Sequence, residues 1–345
     1  MAPALQVSRN NMSRLGIVLY HGINSGPELK DYGRIAEEAG FESLWVTERY
    51  FHEETFSLLG FLAAATHRIK LGVGVVNPYT RNPALLAMAS ATLDRISGGR
   101  FLLGLGRSDK PAIQGRIGIP YGDSRATLVE TAILIRSLLS GERVSAASGR
   151  FKLNGARLAT TPIQQKLPIY LAAIGAKGLR LAGTVADGVL LNAYVPPAYV
   201  RYAVQEIRQA AQAAGRDPQV IDIACMLVVR LTDDPDSLRP TLKQRVVRLL
   251  EEPYVGEILL EKGGFDPAIL QPLRASVAKD GGKDAVGLIS DEMVDAFYVV
   301  GSAARCQERI AEYRQAGVDL PLLLPRLEDY HKVAETLNSN QENPD

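Results

Sequence analysis

Charged side chains come directly after two apolar runs of the sequence, and they are of the types that proton transfer and anion binding need. Glu48 and Arg49 follow the run SLWV, whereas Arg107 and Asp109 follow the run RFLLGL. A carboxyl group can take up or release a proton, whereas an arginine stays protonated and binds anions. These residues are candidates for a reactive site. Two alternatives stay open, because Glu–Arg pairs are common on solvated surfaces and Asp109 can cap the following helix.

Glycines occur at the same ends of apolar runs. Gly74 leads into Val75, Val76 and Asn77, and Gly106 closes another GxG pair. Neither pair has the third glycine of a dinucleotide fingerprint, and neither opens at once into a helix. The pattern therefore disfavours a Rossmann site and leaves these residues as candidate walls of a different pocket.

A second small-residue turn precedes a predicted helix. It consists of Gly175, Ala176, Lys177 and Gly178. Backbone N–H groups at a helix start, together with a lysine ammonium, suit a phosphate group. Tight packing alone also explains glycines at such a turn.

The motifs of several enzyme classes are missing from the sequence. The four histidines form no HExxH pattern, and there is no GxSxG elbow, Walker-A loop or CxxC pair. The two cysteines, Cys225 and Cys306, are too few for a disulfide framework or a four-thiolate metal site. We therefore expect no metal site and a reduced, cytoplasmic location.

Apolar runs of strand type alternate with helical patterns along the chain. The runs cover residues 14–20, 43–46, 69–76, 100–105, 168–172, 188–191, 220–229 and 320–324. Strands joined by helical crossovers form a parallel sheet, and eight of them in this length favour an α/β fold of the (β/α)₈ TIM-barrel type over an open sheet. In such a barrel the residues that follow the strands meet at one mouth, where active sites lie.

The alternation of strand and helix patterns is interrupted twice. Residues about 143–162 resemble a hairpin, and residues about 233–293 hold helices, turns and a glycine-rich segment. We interpret residues 1–345 as a single barrel domain with these two loop insertions, and the longer insertion is a candidate lid.

The composition restricts the partners. Lys and Arg total 39 against 38 Asp and Glu, so the formal charge is +1. This balance argues against nucleic acid or an anionic membrane as the main partner. The N-terminal stretch lacks the apolar core of a signal peptide, and no uncharged apolar run approaches the roughly 18 residues of a membrane span. We expect a protein that acts on a small molecule.

Several blocks of the sequence, in order, resemble the bacterial luciferase-like superfamily. The resemblance is closest to the branch of coenzyme F420-dependent methylenetetrahydromethanopterin reductases, and it covers residues 14–230 and, more weakly, 298–324. The blocks are WVTERY, KLGVGVVNPYTRNP, LDRISGGRFLLGLGRSDK, IYLAAIGAKGLRLAG and ADGVLLNA.

The resemblance implies a barrel whose third strand carries a non-prolyl cis peptide behind the central ring of the deazaflavin. By position this bond lies between Gly74 and Val75. The turn 175–178 falls on the phosphate site of the family, and Asn192 falls near the cofactor tail. The residues expected to bind the cofactor are Gly74, Val75, Val76, Asn77, Gly106, Arg107, Gly175, Ala176, Lys177, Gly178 and Asn192.

The same matching assigns Glu48, Arg49 and Asp109 to the reactive end of the cofactor. Arg49 stands where the family commonly has a histidine, and an arginine does not shuttle protons. Val18 stands where the methanopterin reductases carry a glutamate, which argues against a pterin substrate. Asp109 or Glu48 is therefore the acid–base candidate, and Arg49 is expected to hold a charged cofactor or polarise a carbonyl. Because Glu48 shares its loop with Arg49, we expect that opposite charge to pair with Glu48, which makes Asp109 the first candidate for the acid.

These expectations together describe a coenzyme F420-dependent oxidoreductase that exchanges a hydride with an organic substrate and forms a homodimer or a higher homo-oligomer. One alternative is an FMN-dependent luciferase-like monooxygenase that uses dioxygen. Another is a non-catalytic flavin- or deazaflavin-binding protein on the same fold, although such a carrier has no need for acids beside the ring.

Overall fold

The computed structural model describes residues 14–338, and its central element is a closed ring of eight parallel strands. The ring runs β1-β2-β3-β4-β7-β8-β9-β11 and closes by pairing of β11 with β1. In chain order the strands are β1 (Gly16–Leu19), β2 (Ser43–Val46), β3 (Lys70–Val73), β4 (Phe101–Leu105), β5 (Val144–Ala146), β6 (Leu153–Ala156), β7 (Ile169–Ala173), β8 (Gly188–Leu191), β9 (Asp222–Leu231), β10 (Val299–Gly301) and β11 (Leu320–Leu324). The predicted (β/α)₈ barrel is confirmed.

Helices connect the strands and surround the barrel. They are α1 (Gly26–Glu38), α2 (Thr55–Ala65), α3 (Pro83–Ile96), α4 (Ser124–Leu139), α5 (Ala176–Val185), α6 (Pro197–Ala213), α7 (Arg239–Leu250), α8 (Val255–Gly263), α9 (Leu270–Asp280), α10 (Asp291–Phe297), α11 (Ala303–Gln315) and α12 (Tyr330–Leu337). One π-helical turn, Pro111–Arg116, follows β4. Asn82 caps α3 by accepting the N–H of Ala84, and Pro83 occupies the first helical position.

Three elements lie outside the regular alternation. β5 and β6 form an antiparallel hairpin within residues 143–162. Residues 233–293 contain α7, α8, α9 and the start of α10. The short strand β10 then pairs with the end of β9, at Val229–Leu231, beyond the part of β9 that β11 covers. Three residues are too few for a periodic signal, so the sequence did not predict β10.

Two aromatic rings pack in the core beside glycines of neighbouring strands. The rings of Trp45 on β2 and Tyr170 on β7 meet edge to face with their centroids 5.2 Å apart. A Cβ at Gly72 would lie 2.4 Å from Trp45, and a Cβ at Gly188 would lie 2.2 Å from Tyr170. Glycine is required at both positions because the rings occupy the space that a side chain would need.

A network of hydrogen bonds and ion pairs joins four strands at the end of the barrel where the strands begin. Arg14 donates to Glu42 at 2.7 Å and to Asp222 at 2.8 Å, and Tyr170 donates to Asp222 at 2.6 Å. Burial alone would raise the pKa of Glu42, but the hydrogen bonds from Arg14 and Lys70 lower it overall. These contacts tie the starts of β1, β2, β7 and β9 together at the face that contributes stability, and they leave the opposite mouth for a site.

No helix within residues 14–338 is long and apolar enough to cross a lipid bilayer. The expectation that the N-terminus carries no signal peptide concerns residues 1–13, which lie outside the described residues.

Candidate functional site

Two cavities adjoin at the carboxyl ends of the barrel strands. The first, here called the strand-end cavity, has a volume of about 390 Å³. It is lined by Glu48, Arg49, Tyr50, Gly74, Val75, Asn77, Gly106, Ser108, Asp109, Ala112 and Arg116. The second, here called the helix-end cavity, has a volume of about 470 Å³. Ser108 and Asp109 line both cavities, so the two cavities lie side by side at the mouth of the barrel.

An apolar wall of the strand-end cavity comes from the segment after β3. The peptide bond between Gly74 and Val75 is cis, as the resemblance to the luciferase-like superfamily implied. A Cβ at Gly106 would lie 2.4 Å from Cγ2 of Val75, so glycine at position 106 gives the valine its place in the wall. Val76 is fully buried, bridges to Leu105 and does not line the cavity.

A chain of hydrogen bonds forms the polar edge of this cavity. Asn77 donates from Nδ2 to the Tyr50 hydroxyl at 3.0 Å, and that hydroxyl lies 2.6 Å from Oγ of Ser108. Oδ1 of Asn77 accepts the N–H of Tyr79, which fixes the orientation of the amide. The hydroxyl of Tyr121 donates to the carbonyl of Ser108 at 2.9 Å. Asn77 was predicted, but Tyr50, Ser108 and Tyr121 were not, although Tyr50 and Ser108 directly adjoin predicted residues.

Glu48 is paired, but its partner is not its neighbour in sequence. Arg81 donates to both oxygens of Glu48, at 2.6 and 2.7 Å, and also to Glu54. Burial lowers the pKa of Arg81, but the hydrogen bonds with Glu48 and then Glu54 raise it overall. The expectation that Arg49 supplies the charge opposite Glu48 is wrong, because Arg81 reaches this carboxylate from the loop after β3. Both oxygens of Glu48 are therefore engaged by Arg81.

Arg49 instead contacts a histidine that the sequence analysis did not select. Nη1 of Arg49 lies 3.1 Å from Nε2 of His21, which follows β1. The rings of His21 and His52 lie 4.2 Å apart. Burial, followed by the charges on His52 and Arg49, lowers the pKa of His21. A neutral imidazole therefore accepts a hydrogen bond from Arg49 and fixes the guanidinium at the cavity. The one available signal was the position of His21 just after a predicted strand.

Asp109 is exposed and lines both cavities. Its Oδ1 accepts the N–H of Ala112 at 2.7 Å, at the start of the π-helical turn. The capping role that the sequence left open is therefore present. Among residues 14–338 its second oxygen has no hydrogen-bond partner, so the carboxyl group retains one oxygen that can meet a ligand.

The helix-end cavity is rich in cations. Arg107, Lys110, Arg125 and Lys177 line it, whereas Asp109 and Glu252 are the acidic side chains of its wall. None of the four cations forms a salt bridge within the part of the chain that the structure describes, so their charges remain available to an anion.

The turn 175–178 supplies one end of this cavity. Gly175 and Gly178 line it with Lys177, and no side chain caps the start of α5. A Cβ at Gly175 would lie 1.7 Å from the hydroxyl of Tyr254, so this glycine admits a tyrosine of the long insertion. Residues 252–255 of that insertion thus form part of the wall.

Besides Val76, two further predicted residues lie away from the cavity walls. Ala176 belongs to the first turn of α5 and does not line the helix-end cavity. Asn192 is exposed, accepts the N–H of Ala193 and lines neither cavity. Within residues 14–338 there is no group of three or more His, Cys, Asp or Glu that is placed to hold a metal ion.

Comparison with known proteins relates this geometry to one family. The family model described as luciferase-like monooxygenase matches residues 12–320. The 5,10-methylenetetrahydromethanopterin reductase of Methanolobus tindarius is 37% identical over 299 residues, which cover 86% of this chain and 90% of that protein. The enzyme of the same name from Archaeoglobus fulgidus is 35% identical over 295 residues, covering 84% and 87%. The structure of the coenzyme F420-dependent tetrahydromethanopterin reductase from Methanopyrus kandleri superposes with a TM-score of 0.82 at 29% identity and covers 95% of this chain and 97% of its own.

Proposed function

Because this chain belongs to the luciferase-like monooxygenase family, we propose that it is an oxidoreductase that uses coenzyme F420 to exchange a hydride with an organic substrate. The observation that carries the proposal is the pair of contiguous cavities, one with an apolar peptide wall and a polar edge, the other with unpaired cations. When bound, the deazaflavin supplies a ring carbon that donates or accepts the hydride. The protein supplies position and electrostatics.

The residues of the strand-end cavity fit a planar heterocycle. Val75 offers an apolar surface to a ring face, whereas Asn77, Tyr50 and Ser108 offer donors and acceptors to its polar edge. Glycine at position 106 keeps the wall in place, because any side chain there would displace Val75.

The residues of the helix-end cavity fit a phosphate-bearing tail. Lys177 and Arg107 provide charge, and the uncapped N-terminus of α5 provides backbone N–H groups. Tyr254 of the long insertion lines the same cavity, which supports a role of that insertion in holding the tail.

Proton delivery falls to Asp109 in this proposal. Glu48 is occupied by Arg81, and Arg49 does not release its proton. Asp109 lies at the junction of the two cavities with one carboxyl oxygen unpartnered among the described residues, so it is the acid that can reach a substrate.

Parallel titrations of the purified protein with F420 and with FMN test the proposal. Fluorescence should give a dissociation constant for F420 that is at least about tenfold lower than that for FMN, a difference of about 1.4 kcal/mol. Tighter binding of FMN, with oxygen-dependent turnover, would support the monooxygenase alternative. Tight F420 binding without turnover against a broad panel of alcohols, aldehydes and enones would support a binding protein.

We also propose a cytoplasmic homo-oligomer. Four large apolar side chains are exposed on the neighbouring helices α2 and α3, namely Phe61 (41%), Leu85 (50%), Met88 (54%) and Ile96 (55%). Grouped exposed apolar residues are typical of protein interfaces. Sedimentation velocity should give a dimer or larger species for the wild type and a shift toward monomer for Leu85→Glu. An unchanged distribution would count against this face.

A further inference from the structure

Two arginines of the strand-end cavity have no acidic partner. Arg49 and Arg116 both line this cavity, and neither forms a salt bridge within residues 14–338. Arg49 contacts His21 through Nη1, and the guanidinium of Arg116 lies 4.7 Å from the ring centroid of Phe51. An imidazole with a lowered pKa and a phenyl ring are both uncharged, so neither neutralises the arginine that it contacts.

Arg81, unlike Arg49 and Arg116, is paired with acidic side chains. Its guanidinium contacts two carboxylates, Glu48 and Glu54, and its side chain is 15% exposed. Arg81 does not line the cavity, and its single positive charge is shared between Glu48, which lines the cavity, and Glu54, which does not. The wall itself carries two cations, Arg49 and Arg116, and two carboxylates, Glu48 and Asp109. Because Glu48 is held by Arg81, Arg49 and Arg116 are guanidinium groups of the wall that no carboxylate of residues 14–338 pairs with.

The groups around these two unpaired arginines suit recognition of an anion. A guanidinium offers paired N–H donors that match a carboxylate or phosphate in a two-pronged hydrogen bond. His21 accepts a hydrogen bond from Arg49, and the ring of Phe51, which is 71% exposed, lies against the exposed side chain of Arg116. Contacts of this kind restrict both side chains, and such restriction before binding lowers its entropy cost.

On the basis of the proposed function, we propose that the substrate carries an anionic group, a carboxylate or a phosphate, that Arg49 and Arg116 bind in the strand-end cavity. The cofactor tail has its own cations in the helix-end cavity, Lys177 and Arg107 among them. Arg49 and Arg116 therefore set substrate specificity, and they contribute little to the affinity for F420.

The test uses ¹⁹F NMR titrations of the F420-loaded protein with three probes of the same size class: 4-fluorobenzoate, 4-fluorophenyl phosphate and the neutral 4-fluorobenzyl alcohol. At least one anion should bind about tenfold more tightly than the alcohol at low salt, and the tighter anion identifies the group. Arg49→Gln and Arg116→Gln should each weaken that anion about fivefold or more and leave the alcohol unchanged. Fluorescence should give an F420 dissociation constant within about twofold of the wild type for both variants.

Two controls separate this inference from neighbouring explanations. Arg201→Gln removes an exposed arginine of α6 outside both cavities and should change none of these affinities. Lys177→Gln should show the reverse pattern, with weaker F420 binding and unchanged preference for the anion.

Three results would overturn the inference. The first is equal affinity of the wild type for the anions and the alcohol, and the second is that no probe binds. The third is that the Arg49 and Arg116 variants bind F420 more weakly but keep the preference for the anion. Failure of the wild type to bind F420 at all would overturn the proposed function instead. In that case the three probes are titrated into the protein without F420, which tests the anion site by itself. A preference for an anion over the alcohol that Arg116→Gln abolishes would support the anion site, and the absence of any preference would refute it.

Discussion

Replacing Arg81 by methionine removes the cation between Glu48 and Glu54 while keeping a side chain of similar length. Glu48 is 10% exposed and Arg81 is 15% exposed, so water cannot replace the lost hydrogen bonds well. Two unit charges about 4 Å apart attract by ~4 kcal/mol at an effective dielectric constant of ~20. Breaking a fully buried pair costs about 3–5 kcal/mol, because the remaining charge stays desolvated. Because both side chains keep some exposure, we expect Arg81→Met to lower the free energy of unfolding by ~3 kcal/mol.

A double-mutant cycle isolates the pair. Glu48→Gln should lower the free energy of unfolding by ~1–2 kcal/mol, since Arg81 keeps its ion pair with Glu54. The double variant should cost clearly less than the sum of the two, with a coupling energy of about 2 kcal/mol. Urea unfolding of the cofactor-free protein, followed by far-UV circular dichroism, gives all four midpoints. Arg34 and Glu38 on α1 form a control pair, because their side chains are 49% and 60% exposed. The coupling of such an exposed pair should stay below ~0.5 kcal/mol.

A coupling energy for Arg81 and Glu48 no larger than that of the control pair would refute the reasoning. It would mean that Glu48 is not held by Arg81, and Glu48 would return as an equal candidate for the acid. A large coupling would leave Asp109 as the carboxyl group available to a substrate.

Four further outcomes are expected. Val75→Asp should raise the F420 dissociation constant measured by fluorescence, because it puts a charge against a ring face, whereas Val75→Ile should be tolerated. Lys177→Glu should raise the same constant most at low salt, where screening is weakest, and an unchanged affinity would make the turn purely structural. Asp109→Asn keeps the capping oxygen, so F420 should bind normally. Turnover, measured by F420 fluorescence, should fall about 100-fold or more. Normal turnover would show that another group is the acid. The pKa of His21 is lowered in the folded protein, so its contribution to stability is present above the ordinary imidazole pKa of about 6.5 and is lost as the pH falls below it. His21→Gln should flatten the dependence of the urea midpoint on pH between about 5 and 7, and an unchanged slope would argue against a lowered pKa.

The sequence predicted the barrel because its signals are local. A strand buried on both faces must be a short apolar run, and each such run lies between helical patterns with their own caps. Asn82 and Pro83, for example, mark the start of α3 in the sequence and in the structure. The cis peptide at Gly74 and Val75 was also predicted, since it belongs to a block of sequence that the family shares.

The partners of the site residues required the tertiary structure. Glu48 and Arg81 are 33 positions apart, and Arg49 and His21 are 28 apart. Neither separation has a periodic signature, because these contacts arise where loops from different strands meet at one mouth. Adjacency in sequence suggested Arg49 as the partner of Glu48, and only the folded barrel shows the guanidinium of Arg81 nearer.

The chain by itself thus determined which elements form and which polar residues end the strands, because propensity, periodicity and capping act over a few residues. The closure of the ring decided which of those residues share a cavity. It brought His21, Tyr50 and Tyr121 to the site and left Asn192 outside the cavity walls. Side-chain contacts between loops depend on strand order and register, and these are properties of the whole sheet rather than of any segment.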